Sequence, residues 1–300
     1  MKKIILTILI FLTVTGLKAQ THGLYIAIGG NIFFGDLGGG EKNSSHILGL
    51  GDADFASSNP AVKLDWQFKP YKTLGLRAGV MISKVAGDDA NSKNESAKNR
   101  NLSFRSNIMS YCLSLDYYFV REKTLAKFEQ VKFSDRLSVY FTVGFGLFRF
   151  NPQGFYGGQW YDLQPLCTEG QGTNCTYKNG NGVFTTADKP YSLTAFEIPF
   201  GLGFNIALNS EMSVGLELSF HFTTTDYIDD CSTNYFNWAE MGYEPESEMS
   251  VIFADRSKDQ TRLQTGAARG NSGYNDAFAT LMLTTHYNFG AIFGGLKHRK

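Results

Sequence analysis

Lys63, Asp65, Arg77, Asp116, Glu197, Glu217 and His221 each stand between two apolar residues, inside stretches that are otherwise strongly hydrophobic. Carboxylates and a histidine held among apolar neighbours suit a proton path or general acid–base work. The same residues suit a buried network in which Lys63 and Arg77 neutralise some of the four acids, and the cost of unpaired buried charge favours that second reading. His221 with Ser219, or His286 with a nearby serine, raises a lipid A-modifying hydrolase as a reading. Such a site needs nucleophile, base and orienting acid within hydrogen-bond reach, and the sequence places these residues only on a common face. Asp88-Asp89 and Asp226, Asp229 and Asp230 are carboxylate-rich loop edges without the ligand spacing of a calcium loop, so they read as solvated loop ends with no metal. GDLGGG (35–40) has no lysine and no following helix, which excludes a phosphate loop. Neither a cofactor nor a catalytic residue is implied.

The elements that must position these residues alternate with a period of two. Met212, Val214, Leu216, Leu218, Phe220 and Phe222 oppose Ser213, Gly215, Glu217, Ser219 and His221. Phe196 to Leu208 and Leu137 to Phe148 repeat the pattern, as do Val62 to Phe68, Leu74 to Ser83, Met109 to Phe119 and Ala279 to Phe289. Leu24 to Ile32 is weaker but keeps Leu24, Ile26, Ile28 and Ile32 on one side. A period of two is a strand, and eight such segments are present. Pro199 removes a ladder donor from one of them and predicts a bulge.

A soluble sandwich also alternates, so three further features decide. The apolar face is uniformly large, while the opposite face mixes glycine, serine and ionisable residues. The connections alternate in length: 70–73 and 209–210 are tight and 121–135 is intermediate. Those at 34–60, 86–102, 151–190 and 226–276 are long. Tyr117, Tyr118, Phe119, Tyr287 and Phe289 sit near strand ends, as interfacial girdles do. The expected fold is all-β: an eight-stranded antiparallel up-and-down transmembrane β-barrel with long extracellular loops and short periplasmic turns. A sheet in hydrocarbon must close, and an even strand number puts both termini on the periplasmic side. The inward charged residues then form a lumen polar network in a barrel too narrow for a wide pore.

Residues 1–19 (MKKIILTILIFLTVTGLKA) read as a signal peptide: two lysines, an apolar run from Ile4 to Val14, and alanine before the cut. The barrel domain is expected over 20–290, in the outer membrane, with a basic periplasmic tail at 291–300. Charge is balanced, 28 basic against 28 acidic residues, which argues against a nucleic-acid partner. Four cysteines are too few to build a fold from disulfides. Cys167 and Cys175 lie close enough in one loop to bridge, Cys167 with Cys231 is equally open, and Cys112 reads as a reduced lumen residue.

The stretch FRFNPQGFYGGQWYDLQPLCTEGQGT (148–173) runs off the fifth strand and suits a compact cap over the barrel rim. Its Asn151, Pro152, Gln159, Trp160, Tyr161, Asp162, Gln164, Pro165, Glu169 and Gly170 resemble the signature of PorG-like proteins, the outer-membrane barrel component of the type IX secretion system of Bacteroidetes. FFGDLGGG, NRNLSFRSNI (99–108), FEIPFGLGF (196–204) and TDYIDDCSTNYF (225–236) resemble the same family. Cys167 and Cys231 depart from its pattern, and 237–275 is longer. The resemblance implies a non-enzymatic role: tying a periplasmic ring of PorK-like lipoprotein and PorN-like protein to the outer membrane. That ring serves protein secretion, and gliding motility in species that glide. Arg121, Lys123, Lys127 and Lys132 in the turn 121–135 are the expected ring contacts. A stand-alone adhesion barrel, binding a surface ligand through its long loops, is the alternative.

Overall fold

A computed structural model describes residues 21–37, 58–122, 132–174, 176–178, 184–186, 189–258 and 265–289. The expected signal peptide, the tail at 291–300, and Lys123, Lys127 and Cys175 lie outside the described residues.

Eight long strands carry the alternating segments: β1 (Thr21–Phe34), β2 (Asn59–Tyr71), β3 (Leu74–Asp88), β4 (Ser103–Val120), β5 (Leu137–Arg149), β10 (Thr194–Ala207), β11 (Met212–Thr223) and β12 (Ala277–Asn288). Four short ones, β6 (Pro152–Tyr156), β7 (Gln159–Asp162), β8 (Thr176–Lys178) and β9 (Phe184–Thr186), lie between β5 and β10. Each long strand pairs antiparallel with its sequence neighbours, and β1 pairs with β12, so the sheet closes into an eight-stranded up-and-down barrel. Closure removes the edges that would otherwise leave backbone N–H and C=O groups unpaired in hydrocarbon.

Burial is inverted relative to a soluble protein. Leu113 on β4 is 68% exposed, whereas Asp116 on the opposite face of that strand is 0% exposed. The outward belt includes Ile28, Leu64, Ile82, Phe145, Leu202, Leu218 and Leu283, all exposed. Lys63, Arg77, Asp116, Glu197, Glu217, His221 and His286 are buried inside. An apolar exterior around a charged interior is stable only when the exterior meets lipid, so the barrel spans a membrane. No described helix is long and apolar enough to cross one.

The inward face changes character along the axis. Nearer the short turns it carries the charged residues. Toward the long loops it becomes apolar, with Phe33, Met81, Phe104, Ile108, Phe148, Phe278 and Met282 in one buried cluster. That cluster continues through Leu37, Leu102, Phe150, Ile228 and Cys231 into a cap built from the long loops. The cap holds two short helices, α1 (Glu95–Arg100) and α2 (Glu248–Ala254), started by Asn94 and Ser247, whose side chains accept from Ser96 N and Met249 N.

One expectation about the strands is corrected. Pro199 marks no bulge: Glu197 pairs with Gly146 and Phe200 with Val143 in unbroken register, and only the intervening ladder positions are skipped. The register shifts that do occur lie between Phe68 and Tyr71 and between Tyr118 and Val120, at the short-turn end. Glycine on the inward face makes room for large neighbours; a Cβ at Gly203 would collide with the Tyr140 ring.

Candidate functional site

Strands β2, β3, β4, β5 and β11 bring the lumen residues together at one level. Arg77 Nη2 lies 2.8 Å from Glu217 Oε2 and 3.0 Å from Asp116 Oδ1, and donates to Thr142 Oγ1 at 3.0 Å. Asp65 Oδ2 stands 3.6 Å from Arg77 Nη1 and 3.4 Å from Lys63 Nζ, which is also 3.6 Å from Glu217 Oε1. Two cations thus face three carboxylates, and no one of these groups has a single partner. Tyr140 Oη donates to Glu217 Oε2 at 2.7 Å, and Gln67 Nε2 donates to Asp116 Oδ2 at 3.2 Å. The guanidinium also stacks 4.3 Å over the Tyr25 ring. Tyr25, Gln67, Tyr118 and Tyr140 complete the network. Their inward parity was available in the sequence, but nothing local announced their contacts.

Glu197 and His221 form a separate pair nearer the cap. His221 Nδ1 lies 2.9 Å from Glu197 Oε2, Ser110 donates to Glu197 Oε1, and the imidazole stacks on Phe278 at 4.4 Å. Ser219 turns instead to Glu217 Oε1 at 3.3 Å. The partner of His286 Nδ1 is Gln67 Oε1 at 3.4 Å, and its ring packs edge-on against Tyr25. Neither histidine contacts a serine hydroxyl, which leaves a hydrolase without its nucleophile–base step among the described residues. Cys112 is a free thiol beside Ser114, 3.4 Å away.

The signature stretch builds much of the cap. The hairpin of β6 and β7 extends the sheet from the far end of β4, pairing Arg105 with Gln153 and Ser106 with Pro152. Asp162 Oδ1 accepts from Asn151 Nδ2 at 2.9 Å and Gln153 Nε2 at 2.7 Å. Trp160 lies under Arg105 at 3.9 Å, Tyr161 packs on Phe253, and Gln159 pairs with Tyr156 at the tip. Gln164 and Pro165 sit in a 3-10 turn, with Gln164 Nε2 bonded to Tyr191 O at 3.0 Å. Gly170 has φ +77 and lies against the Phe236 ring, so only glycine fits there.

Glu169 is the residue on which the long loops converge. Its carboxylate accepts from Ser232 N at 3.0 Å, Thr233 N at 3.1 Å and Thr233 Oγ1 at 2.6 Å, and pairs with Arg269 Nη1 at 3.0 Å. Asp230 accepts from Thr168 Oγ1 and Tyr191 Oη, both at 2.6 Å, while Arg269 donates to the Asp230 carbonyl. Burial works to lower the pKa of the Arg269 guanidinium, but Cys231, Glu169 and Asp230 beside it hold it well above its ordinary range.

Asp89, Asp229 and Asp230 are buried and Asp226 is half-buried, not solvated ends, whereas Asp88 stays part-exposed at the end of β3 and accepts from Ala90 N at 2.8 Å. Asp89 is fully buried and takes Arg100 Nε and Nη2 at 2.8 Å together with Leu102 N at 3.0 Å, an arginine fork closing the β3–β4 connection. Asp229 accepts from Leu37 N and Cys231 N, and Asp276 from Ile228 N at 2.8 Å. Burial and the charge of Asp229 push Asp226 up to about 9, and burial pushes Asp230 up to about 6. Among the described residues no group of these side chains has metal-ligand geometry. A second correction concerns Cys167 and Cys231, which are free thiols and not bridged to each other. Cys231 is buried and donates to Arg269 O at 3.2 Å, and Cys167 faces its own 3-10 turn. Arg100 and Arg269, the cations that organise the cap, carried no local signal in the sequence.

At the opposite end Arg121 and Lys132 are exposed. A family model described as "Domain of unknown function (DUF6089)" matches residues 2–162. The chain belongs to this family. No curated protein matches the sequence. Solved structures to which this DUF6089 chain is similar include Neisserial surface protein A, at 8% identity over 90% of this chain and 99% of that one, with a TM-score of 0.37. They also include Ail, the attachment invasion locus protein of Yersinia pestis, at 7% over 90% and 99%, TM-score 0.36. The outer membrane protein OprG from Pseudomonas aeruginosa is similar at 10% over 90% and 97%, TM-score 0.35.

Proposed function

We propose that this chain is a non-enzymatic outer-membrane component of a type IX protein secretion system that anchors a periplasmic ring of PorK-like and PorN-like subunits. The observation that carries this reading is the filled interior. Ion pairs occupy one level of the lumen, aromatic side chains the next, and the cap closes the long-loop end. A barrel so filled works through its surfaces. The motifs shared with PorG-like proteins support the secretion role, and Arg121 and Lys132 at the short-turn end are exposed as a ring contact requires. Both termini and the short turns then face the periplasm, with the cap outside.

Affinity purification of the tagged chain from gently solubilised outer membranes, followed by mass spectrometry, tests this. Ring subunits co-purify, and shortening 121–135 releases them. A barrel that comes down alone after crosslinking, with ring proteins present in the lysate, favours the alternative of surface binding. The exposed Phe155, Tyr156 and Trp160 on the cap hairpin are the observation in favour of that second reading.

A further inference from the structure

Above the apolar belt, the outward columns of β3, β4 and β5 end differently from the rest. The last exposed apolar residues there are Ile82, Met109 and Leu147. The next outward positions toward the long loops hold Lys84, Asn107 and Arg149, followed on β4 by Arg105. Strand register makes these neighbours: Lys84 pairs with Asn107, Arg149 with Met109, and Arg105 with Ala86. With strands about 4.8 Å apart and residues about 3.3 Å apart, the backbones of Lys84 and Arg149 lie within about 12 Å. On β1, β2, β10, β11 and β12 the corresponding outward ends are Phe34, Pro60, Thr194, Phe222 and Ala277, with no cation.

These cations are uncommitted. No described carboxylate pairs with Lys84, Arg105 or Arg149. Among the described residues Arg105 donates only its Nε, to Gln153 Oε1 at 2.8 Å, and its guanidinium carbon lies 3.9 Å over the Trp160 ring, so its two terminal amino groups meet no described acceptor. The nearest outward acids, Asp88 and Asp162, lie farther from the belt and accept from Ala90 N and from the Asn151 and Gln153 amides.

Below the cluster the same face of the barrel is hollowed. A recess of about 560 Å³ is lined by Trp66, Leu76, Ala78, Leu113, Val143 and Phe145. Within the apolar belt of β3 (Leu74, Leu76, Ala78, Val80 and Ile82) Ala78 has the smallest side chain, and its size opens the depression. By register Ala78, Leu113 and Phe145 share one level, about 13 Å along β5 from Arg149 and about 20 Å along β3 from Lys84. A strand tilt of about 40° brings the longer distance to the about 15 Å depth of one leaflet's hydrocarbon.

We infer that this face is a binding site for a phosphate-bearing lipid of the leaflet on the long-loop side. Lys84, Arg105 and Arg149 hold its headgroup, and one acyl chain lies in the recess below. The inference rests on the outward orientation of the long loops given above, though not on the identity of any ring partner. Phosphate is favoured over an uncharged sugar headgroup because the Arg105 guanidinium over Trp160 offers donors to anionic oxygens, and over a carboxylate because three clustered cations match the larger charge of a phosphate.

Native mass spectrometry tests it. The chain, purified from outer membranes and placed in phosphatidylcholine nanodiscs doped with bis-phosphorylated or dephosphorylated lipid A, is released into the gas phase. It retains the phosphorylated lipid preferentially. Replacing both Lys84→Gln and Arg149→Gln lowers that retention roughly thirtyfold, and Arg105→Gln alone roughly fivefold. Ala78→Phe also lowers it, by filling the recess, whereas Lys72→Gln at the short-turn end leaves it unchanged. Equal retention of both lipids, or wild-type retention by the double variant with its barrel folded by heat-modifiable migration, overturns the inference. Neither result touches the ring-anchoring reading, whose own test is co-purification.

Discussion

Arg77 is the residue whose loss the barrel interior tolerates least. Its side chain is fully buried, and among the described residues it is the only arginine placed between Asp65, Asp116 and Glu217. Removing it leaves three carboxylates facing Lys63 alone, and stranding buried charge is worse than never having buried the pair. Arg77→Met is therefore expected to destabilise the barrel by roughly 3–5 kcal/mol, read as a shift in the urea midpoint in micelles. Adding Asp116→Asn returns part of that loss, since one of the stranded charges goes with it. The resulting non-additivity is the signature of direct coupling. Two additive losses would mean that solvent already screens the lumen. Lysine at 77 does not substitute, because one ammonium cannot meet Asp116, Glu217 and Thr142 in the plane that the guanidinium supplies.

The elements divide into those the sequence announces and those it conceals. Strands announce themselves because the outward side must be apolar at every second position. Met212 to Phe222 thus reads as β11 in its true register, and Glu217 falls inward by parity alone. The cap follows no period. Glu169 meets Arg269 across a hundred residues of chain, and Asp89 finds Arg100 only because α1 turns back on β3. Each cap carboxylate looks like an ordinary loop acid until its distant partner is placed, which is why Asp89, Asp229 and Asp230 read as solvated. Burial of these acids gives the cap a pH dependence. Asp226, pushed up to about 9 by burial and by Asp229, stays protonated in the folded cap where the unfolded carboxyl has lost its proton. The folded state then binds more protons, so cap stability falls as pH rises from about 4 to about 9. Asp230, pushed up to about 6, adds the same sign over the lower part of that window. Emission from Trp238, which is buried within the cap, follows this in a background carrying W66F and W160F. Its urea midpoint is higher at pH 5 than at pH 9, and Asp226→Asn removes part of the difference, the rest belonging to Asp229 and Asp276, whose carboxyls burial and neighbouring acids also push up. A midpoint that rises with pH would refute the account.

At the scale of the whole molecule the lumen is obstructed three times in series. The ion-pair level comes first from the short-turn end, then the ring of Phe33, Phe104, Phe148 and Phe278, then the cap drawn together on Glu169. Eight strands enclose a space that side chains alone can fill, so obstruction costs the fold nothing extra and a conduit would have to be built against it. The barriers differ in chemistry. Water and ions can penetrate a loosened polar network, but a packed aromatic layer excludes them until it is itself removed. Purified protein in planar bilayers is accordingly expected to show no steady step conductance. Arg77→Ser, which opens the polar level, leaves the trace silent because the aromatic layer still stands. Combining Arg77→Ser with Phe148→Ala and Phe278→Ala produces brief openings, limited by the cap. Steady conductance from the wild-type chain would overturn the obstructed lumen and, with it, the argument that this barrel acts through its faces: the short-turn end toward a periplasmic ring, and the belt of β3, β4 and β5 toward lipid. A silent trace in the wild type and in Arg77→Ser confines function to those surfaces, because nothing the size of a secreted protein passes where an ion does not.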